Sequence, residues 1–254
     1  MARDNKKIII VIVLIVVIAI IGLVAFIINN IINEQQHELD EPGQELGYDI
    51  PVGNLEAEVK DSIALGRDLQ SEISAVNATY QDAKAWLKVP GTTIDTPIFQ
   101  STDNDRYYRN DRDNEKTKWG EPYLDYRCSL ASIGRPSNII IYGHNTETDT
   151  HFTPLLNYKK QEFYNEHQII ELATPEGYYK FKVFSAYVTD TSFFYLDTNF
   201  ANTNEYTTFL NSIKQKSRYD MGVSVDSSDT ILTLSTCDYS IKDGRFVVHA
   251  KLVQ

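Results

Sequence analysis

One stretch near the N-terminus limits what this chain can fold into more than any other feature. Residues 8–28, IIIVIVLIVVIAIIGLVAFII, form a run of 21 residues without a single charge. A helix of that length spans about 31 Å, roughly the hydrocarbon thickness of a bilayer. The run is longer than the apolar part of a signal peptide, and no small-residue cleavage site follows it. The sequence therefore predicts a retained transmembrane anchor.

The charges on either side of this run predict its orientation. Arg3, Lys6 and Lys7 precede it, and the next basic residue is Lys60, whereas six acidic side chains lie between positions 34 and 49. Basic residues stay preferentially on the cytoplasmic side of a span. We therefore expect a single-pass cell-membrane protein with a cytoplasmic N-terminus and an extracytoplasmic domain.

The sequence after the run changes character twice. The segment up to residue 54 is acidic and contains several Pro and Gly residues, which predicts a linker. Apolar residues then recur every three or four positions as far as residue 80, with one gap of six, which predicts helix. The predicted organisation is a cytoplasmic tail (1–7), a transmembrane anchor (8–28), an acidic linker (29–54), a helical segment (55–80) and a β domain (81–254).

The last segment is rich in short strand-like runs separated by turn residues. Seven such runs are TTIDTPIFQ, PYLDY, SNIIIYGH, IIELAT, GYYKFKVFSAYVT, TILTLST and RFVVHAKLV. Many short strands with few helices between them predict a mainly β fold, a closed or nearly closed barrel. One helix interrupts them, with apolar residues at 206, 209, 210 and 213, Asn202 as N-cap and Glu205 at the third helical position.

Charge and motif content exclude several classes of function. The net charge of −11 argues against nucleic acid as a partner, because phosphate binding needs clustered basic residues. The sequence contains no glycine-rich phosphate loop and no set of ligands at zinc spacing. We therefore expect neither a cofactor nor a metal.

Two residues stand where strand-like runs end. Cys237 follows ILTLST, and His144 follows NIIIYG, so both are expected on a rigid edge that reaches a cleft. A histidine can activate a thiol for attack on a carbonyl, and a guanidinium such as Arg245 can stabilise the oxyanion. Hydroxyls at Ser235 and Thr236 could orient the same substrate. These residues predict acyl-transfer chemistry.

The residues alone leave other roles open for Cys237. It could be a small buried hydrophobe at the end of a strand. It could also form a disulfide with Cys128, since these are the only two cysteines and both belong to the outer domain.

Several motifs together resemble the sortases, the membrane-anchored cysteine transpeptidases of Gram-positive bacteria. They are TLSTC, the GRFVVHAKL segment that carries Arg245, and IIIYGHN. WLKVPGTTIDTPIFQ, LDYR and the helix before the cysteine strand are similar to class B sortases in particular. The resemblance runs from about residue 81 to residue 252. Cys128 departs from it, because a polar residue is expected there.

This resemblance implies a fold and a reaction. The fold would be a closed barrel of seven or eight strands with N-terminal helices and one helix inserted before the cysteine strand. Cys237 would attack the carbonyl after the threonine of a C-terminal sorting signal and form a thioacyl enzyme. His144 would serve as acid and base, and Arg245 would hold the signal and the oxyanion.

The resemblance also implies partners. The acyl group would pass to an amine of the peptidoglycan cross-bridge or of a pilin. Asn104 and Tyr108 would line the groove that binds the sorting signal, although both could also belong to an ordinary polar turn. Ser235 is a further candidate for binding the signal because it lies beside the nucleophile. Two alternatives remain: a membrane-tethered cysteine peptidase that uses water as acceptor, and a non-catalytic surface domain with a Cys128–Cys237 disulfide.

Overall fold

The computed structural model describes residues 68–146 and 148–254. The predicted anchor, the acidic linker and most of the predicted helical segment lie outside the described residues. Within the described ranges, no helix combines the length and the apolar character needed to cross a membrane.

Eight strands close into a barrel, which confirms the predicted architecture. Their order around the barrel is β1-β2-β3-β4-β7-β8-β6-β5, and β5 pairs with β1 to close it. The strands are β1 (Ala83–Lys88), β2 (Asp95–Phe99), β3 (Tyr123–Leu124), β4 (Ser137–Tyr142), β5 (Ile169–Thr174), β6 (Gly177–Thr189), β7 (Thr230–Cys237) and β8 (Arg245–Leu252).

Each of the seven strand-like runs overlaps one of these strands, and β1 is the strand outside them. Its sequence, AKAWLK, places Lys84 and Lys88 at half-buried positions, and an irregularity in the ladder falls between Ala83 and Ala85. Two alanines and two lysines in six residues give little β propensity. Pairing with β2 and β5, rather than its own composition, makes this segment a strand.

Two strand pairs bring the ends of β4, β7 and β8 together. β4 runs parallel to β7, with Tyr142 opposite Ser235. β8 runs antiparallel to β7, with Arg245 opposite Cys237. Residues Thr230–Thr236 are all buried, as expected for a strand covered on both faces.

A helix covers the outer face of these strands. It is the longest described helix, Thr203–Gln215, and it lies between β6 and β7 where the sequence predicts one. Asn202 caps it by accepting a hydrogen bond from the Glu205 backbone N–H at 3.0 Å, and the Glu205 carboxylate accepts from the Ala201 N–H at 2.6 Å. Its apolar side is buried against β6, β7 and β8, through Tyr206, Phe209, Leu210 and Ile213.

This covering helix is called α4, because three helices precede it in the chain. They are α1 (Leu69–Thr79), α2 (Arg106–Arg109) and α3 (Gln161–Glu166). α1 lies within the segment 55–80 and packs through Leu69 and Ile73 against β1. α2, α3 and two 3₁₀ turns, Leu130–Ser132 and Thr153–Lys159, were not predicted. They are one or two turns long, too short to show a periodic apolar face.

Candidate active site

The register of the barrel places the three predicted catalytic residues at one edge. Tyr142 and Ser235 are paired across β4 and β7, so His144 and Cys237 each lie two residues beyond the same pair. Arg245 begins β8 directly opposite Cys237. The side-chain amide of Asn145 donates to the Cys237 carbonyl oxygen at 3.0 Å and fixes the chain after His144 to the end of β7.

These residues line one cleft of about 200 Å³. His144, Cys237 and Arg245 are called the strand-end residues below. The remaining lining comes from the strands, from α2 and from an irregular connection, through Tyr108, Tyr123, Tyr142, Gly143, Tyr195, Leu196, Ser235 and Thr236. The connection, residues 190–202 between β6 and α4, is called the wall segment below.

Close packing fixes the turn that carries His144. A side chain on Gly143 would bring a Cβ within 2.5 Å of the Phe152 ring, so only glycine fits before His144. The Phe152 backbone N–H donates to the His144 carbonyl oxygen at 3.0 Å. The imidazole lies against the aromatic rings of Tyr108 and Trp119, with ring centroids 4.8 and 5.7 Å away.

One hydrogen bond defines the protonation of the imidazole. His144 Nε2 lies 2.8 Å from the Tyr108 carbonyl oxygen, which can only accept, so Nε2 carries a proton. Burial lowers the pKa of His144 below its ordinary value. The hydrogen bond to the Tyr108 carbonyl opposes this shift, and the positive charge of Arg109 adds to it. The ring is therefore neutral near pH 7, and Nδ1 holds its lone pair.

The turn before Arg245 is equally constrained. A Cβ on Gly244 would lie 2.3 Å from the Asp238 carbonyl oxygen. The Asp238 N–H donates to the Gly244 oxygen at 3.0 Å, and the guanidinium of Arg245 donates to the same oxygen at 2.9 Å. Within the described ranges the guanidinium donates to backbone oxygens of its own turn, and its remaining N–H groups are donors for a ligand in the cleft.

The two hydroxyls beside the cysteine have different environments. The Ser235 hydroxyl and the Tyr195 phenol are 2.8 Å apart, so the wall segment is hydrogen-bonded to the cysteine strand. Burial raises the pKa of Tyr195, which keeps the phenol neutral. The Thr236 hydroxyl is buried and has no hydrogen-bond partner within the part of the chain that the structure describes.

The other two predicted binding residues lie at different distances from the cleft. Tyr108 lines it and is partly exposed. Asn104 lies behind the lining, where its amide nitrogen donates to Asp125 at 3.2 Å and its oxygen accepts from the Tyr126 N–H at 3.1 Å. Asp125 in turn accepts from the Tyr142 phenol at 2.8 Å. Asn104 therefore supports a lining residue, and a direct contact with substrate stays a prediction.

Both cysteines are free thiols, so the Cys128–Cys237 disulfide is not formed. Cys128 lies against the backbone of β4, where its Sγ accepts from the Ile140 N–H at 3.4 Å. Burial raises the pKa of Cys128 to about 11. Cys128 is therefore protonated at neutral pH, and of the two cysteines only Cys237 lines the cleft.

Several lining residues were not identified from the sequence. Tyr195 and Leu196 are the clearest cases, because they come from a connection without periodicity. A signal was present: the run SFFYL between β6 and α4 is too apolar for an ordinary solvated loop. Such a run indicates a segment that packs on the barrel.

The site combines a cysteine at the end of a core strand, a neutral histidine with one free nitrogen, and an arginine with free donors. Thiol, base and oxyanion donor are the groups that nucleophilic acyl transfer requires. An eight-stranded barrel that carries this set at the ends of β4, β7 and β8 is the architecture of a cysteine acyl-transfer enzyme.

Comparisons with known proteins agree with this chemistry. The sortase domain model matches residues 87–253. The chain is 35% identical to sortase B of Listeria monocytogenes over 217 residues, which are 85% of this chain and 83% of that protein.

Solved structures give the same result. A Staphylococcus aureus sortase B–substrate complex matches with a TM-score of 0.65 and 34% identity, over 78% of this chain and 99% of that one. A sortase B complexed with triglycine matches with a TM-score of 0.68 and 33% identity, over 79% of this chain and 94% of that one. The chain therefore belongs to the sortase family. Within that family it is a class B cysteine transpeptidase.

Proposed function

We propose that this transpeptidase cleaves a C-terminal sorting signal after a threonine and transfers the protein to an amine of peptidoglycan or of a pilin. The observation that carries the proposal is that Cys237, His144 and Arg245 line one cleft. The matched S. aureus sortase B was solved with a substrate and another matched sortase B with triglycine, an amine-bearing peptide. These complexes support a peptide donor and an amine acceptor.

The first half of the reaction forms a thioester. Cys237 Sγ attacks the carbonyl carbon of the threonine, and the thiol proton passes to His144 Nδ1, since Nε2 is bonded to the Tyr108 carbonyl. The guanidinium of Arg245 stabilises the oxyanion. His144 then protonates the leaving amine, the C–N bond breaks, and the thioacyl enzyme remains.

The second half restores the enzyme. The acceptor amine attacks the thioester carbonyl, and His144 removes a proton from the attacking nitrogen. The Cys237 sulfur then leaves and takes this proton from His144, which restores the thiol and the neutral imidazole. A new amide joins the protein to its acceptor. If water attacks instead, the enzyme acts as a peptidase, which is the alternative that the same residues allow.

The test is incubation of the protein with a panel of sorting-signal peptides, followed by mass spectrometry. Each peptide is tested alone, with triglycine and with a diamino-acid amide. We expect cleavage after threonine and an amide product whose mass contains the added amine. Cleavage that yields only the free acid with every amine would support the peptidase alternative, and no cleavage of any peptide would contradict the proposal.

We also propose that residues 8–28 anchor the enzyme, with its N-terminus inside the cell. Three basic residues before the run and six acidic residues after it support this orientation. Protease added to protoplasts that express the chain should digest the domain and spare the anchor. Full protection of residues 55–254 would contradict this topology.

A further inference from the structure

The wall segment forms one side of the cleft without regular secondary structure. Three consecutive backbone oxygens in it accept hydrogen bonds from side chains. The amide nitrogen of Asn138 donates to the Tyr195 oxygen at 3.4 Å and to the Asp197 oxygen at 2.9 Å, and Arg127 donates to the Leu196 oxygen at 3.1 Å. Side chains of the barrel therefore hold the lining residues Tyr195 and Leu196 in place.

The orientation of the Asn138 amide follows from its partners. Backbone carbonyl oxygens only accept, so the nitrogen Nδ2 must face the wall segment. The oxygen Oδ1 then faces the Thr233 hydroxyl at 2.6 Å and accepts its proton. Asn138 is buried, so each of these bonds is costly to leave unmade.

The same reasoning extends two residues further. Thr233 uses its single proton on Asn138, so its oxygen accepts from His249 Nδ1, 2.8 Å away. His249 Nε2 then accepts from the Tyr187 phenol at 2.8 Å. Burial lowers the pKa of His249 to about 3, in agreement with the neutral ring that this pattern requires.

The result is a directed chain of donors: Tyr187 to His249, His249 to Thr233, Thr233 to Asn138, and Asn138 to the wall segment. Its members stand on β6, β8, β7 and β4, which are neighbours in the barrel, and all four are buried. Buried polar groups are costly unless fully bonded. None of the four lines the cleft.

We propose that this chain, here called the donor chain, is a positioning device that holds the wall segment at the width needed to bind the sorting signal. The Tyr195 phenol, bonded to Ser235 at 2.8 Å, carries the position of the wall to the strand of the nucleophile. Loss of the donor chain frees the Tyr195 and Asp197 oxygens on either side of Leu196 and weakens peptide binding, while the strand-end residues keep their places. This inference rests on the proposed function for its substrate.

The test uses the full-length protein in detergent and two substitutions at one position. Thr233→Val keeps the shape but removes the hydroxyl, so Asn138 Oδ1 and His249 Nδ1–H both lose their partner. We expect KM for a sorting-signal peptide to rise about tenfold with kcat within about twofold of wild type. Thr233→Ser restores the hydroxyl and should restore KM.

The matched control is Ser185→Ala. Ser185 is also a buried hydroxyl on the outer face of the barrel, but it donates to the Ile213 oxygen of α4 at 2.6 Å. Its loss should lower Tm and leave KM unchanged. An equal rise in KM for Ser185→Ala and Thr233→Val would show that general destabilisation, and not the donor chain, controls binding.

A second measurement needs no substrate. Amide hydrogen exchange of residues 193–199 should be faster in Thr233→Val than in wild type, Thr233→Ser or Ser185→Ala. Tyr187→Phe removes the first donor and should give a smaller increase in exchange. This variant provides the test if Thr233→Val does not fold. Unchanged exchange and unchanged KM in these variants would overturn the inference. A wild-type enzyme that cleaves no peptide contradicts the proposed function alone, because exchange still tests the donor chain.

Discussion

The strand-end residues and the wall segment form two sides of the same cleft by different means. The strand-end residues stand at the ends of β4, β7 and β8. The hydrogen-bonded ladder of these strands fixes their spacing. The wall segment has no ladder, and the side chains of Asn138 and Arg127 bond its backbone instead. Backbone pairing thus places the strand-end residues, whereas side-chain hydrogen bonds place the wall segment.

This difference suggests a division of labour. Chemistry requires groups held within a fraction of an ångström, which a closed barrel provides. A surface held by a few side-chain bonds can be changed by substitution without disturbing the barrel. We therefore expect substitutions at the strand ends to lower kcat and substitutions around the wall segment to raise KM.

The largest effect should separate the two cysteines. Cys237→Ala removes the nucleophile, so peptide cleavage should fall by about 10⁴-fold or more. Cys128→Ala should retain activity, because Cys128 does not line the cleft. With a pKa of about 11, roughly one Cys128 thiol in a thousand is ionised at pH 8.

Alkylation at pH 8 with peptide mapping provides the second measurement. Iodoacetamide should label Cys237 ahead of Cys128, and inactivation should follow the labelling of Cys237. Full activity in Cys237→Ala would remove this residue from the mechanism. Preferential labelling of Cys128 would show that its burial does not protect it.

The contrast between the two regions also explains what the sequence predicts. The sequence indicates the strand ends because the runs NIIIYG and ILTLST stop at His144 and Cys237. Parallel pairing of β4 and β7 brings these two ends together. The barrel and α4 follow from the same local patterns. Asn138 and Thr233 bond across 95 residues of sequence, and no local pattern predicts such a contact.

The next largest effect concerns Arg245. Arg245→Ala removes the oxyanion donor and should lower kcat/KM by about 10²–10³-fold, or roughly 3–4 kcal/mol. Arg245→Lys keeps the charge without the planar fork and should recover only part of this loss. Steady-state kinetics of the three proteins measure the effect. Wild-type activity in Arg245→Ala would show that Arg245 stabilises its own turn and does not take part in catalysis.

A smaller effect is expected on the wall side. Tyr195→Phe removes the hydroxyl that bonds Ser235, so KM should rise about three- to tenfold while kcat changes by less than about twofold. Tyr206→Phe is the matched control, since its phenol bonds the Ser137 and Asp229 oxygens under α4. A fall in kcat at constant KM for Tyr195→Phe would contradict the division of labour.

The smallest expected effect concerns Arg109, the last residue of α2, and its influence on the pKa of His144. His144 must be neutral to accept the thiol proton, so activity is lost as pH falls through its pKa. Burial and the charge of Arg109 both lower that pKa, and His151 adds in the same direction, so the acid limb of kcat/KM should lie below pH 6.5.

Arg109→Gln removes one of these positive charges, which raises the pKa of His144 and moves the acid limb to higher pH. Measured on that limb, kcat/KM should fall by about twofold relative to wild type and stay unchanged at pH 8, because an exposed charge acts weakly through solvent. In 1 M salt, where the Debye length is about 3 Å, the difference should vanish. Arg135→Gln removes a similar exposed charge just before β4, at the opposite end of that strand from His144, and should not move the limb. An acid limb that stays fixed in Arg109→Gln at low salt would show that the charge of Arg109 does not contribute to the pKa of His144.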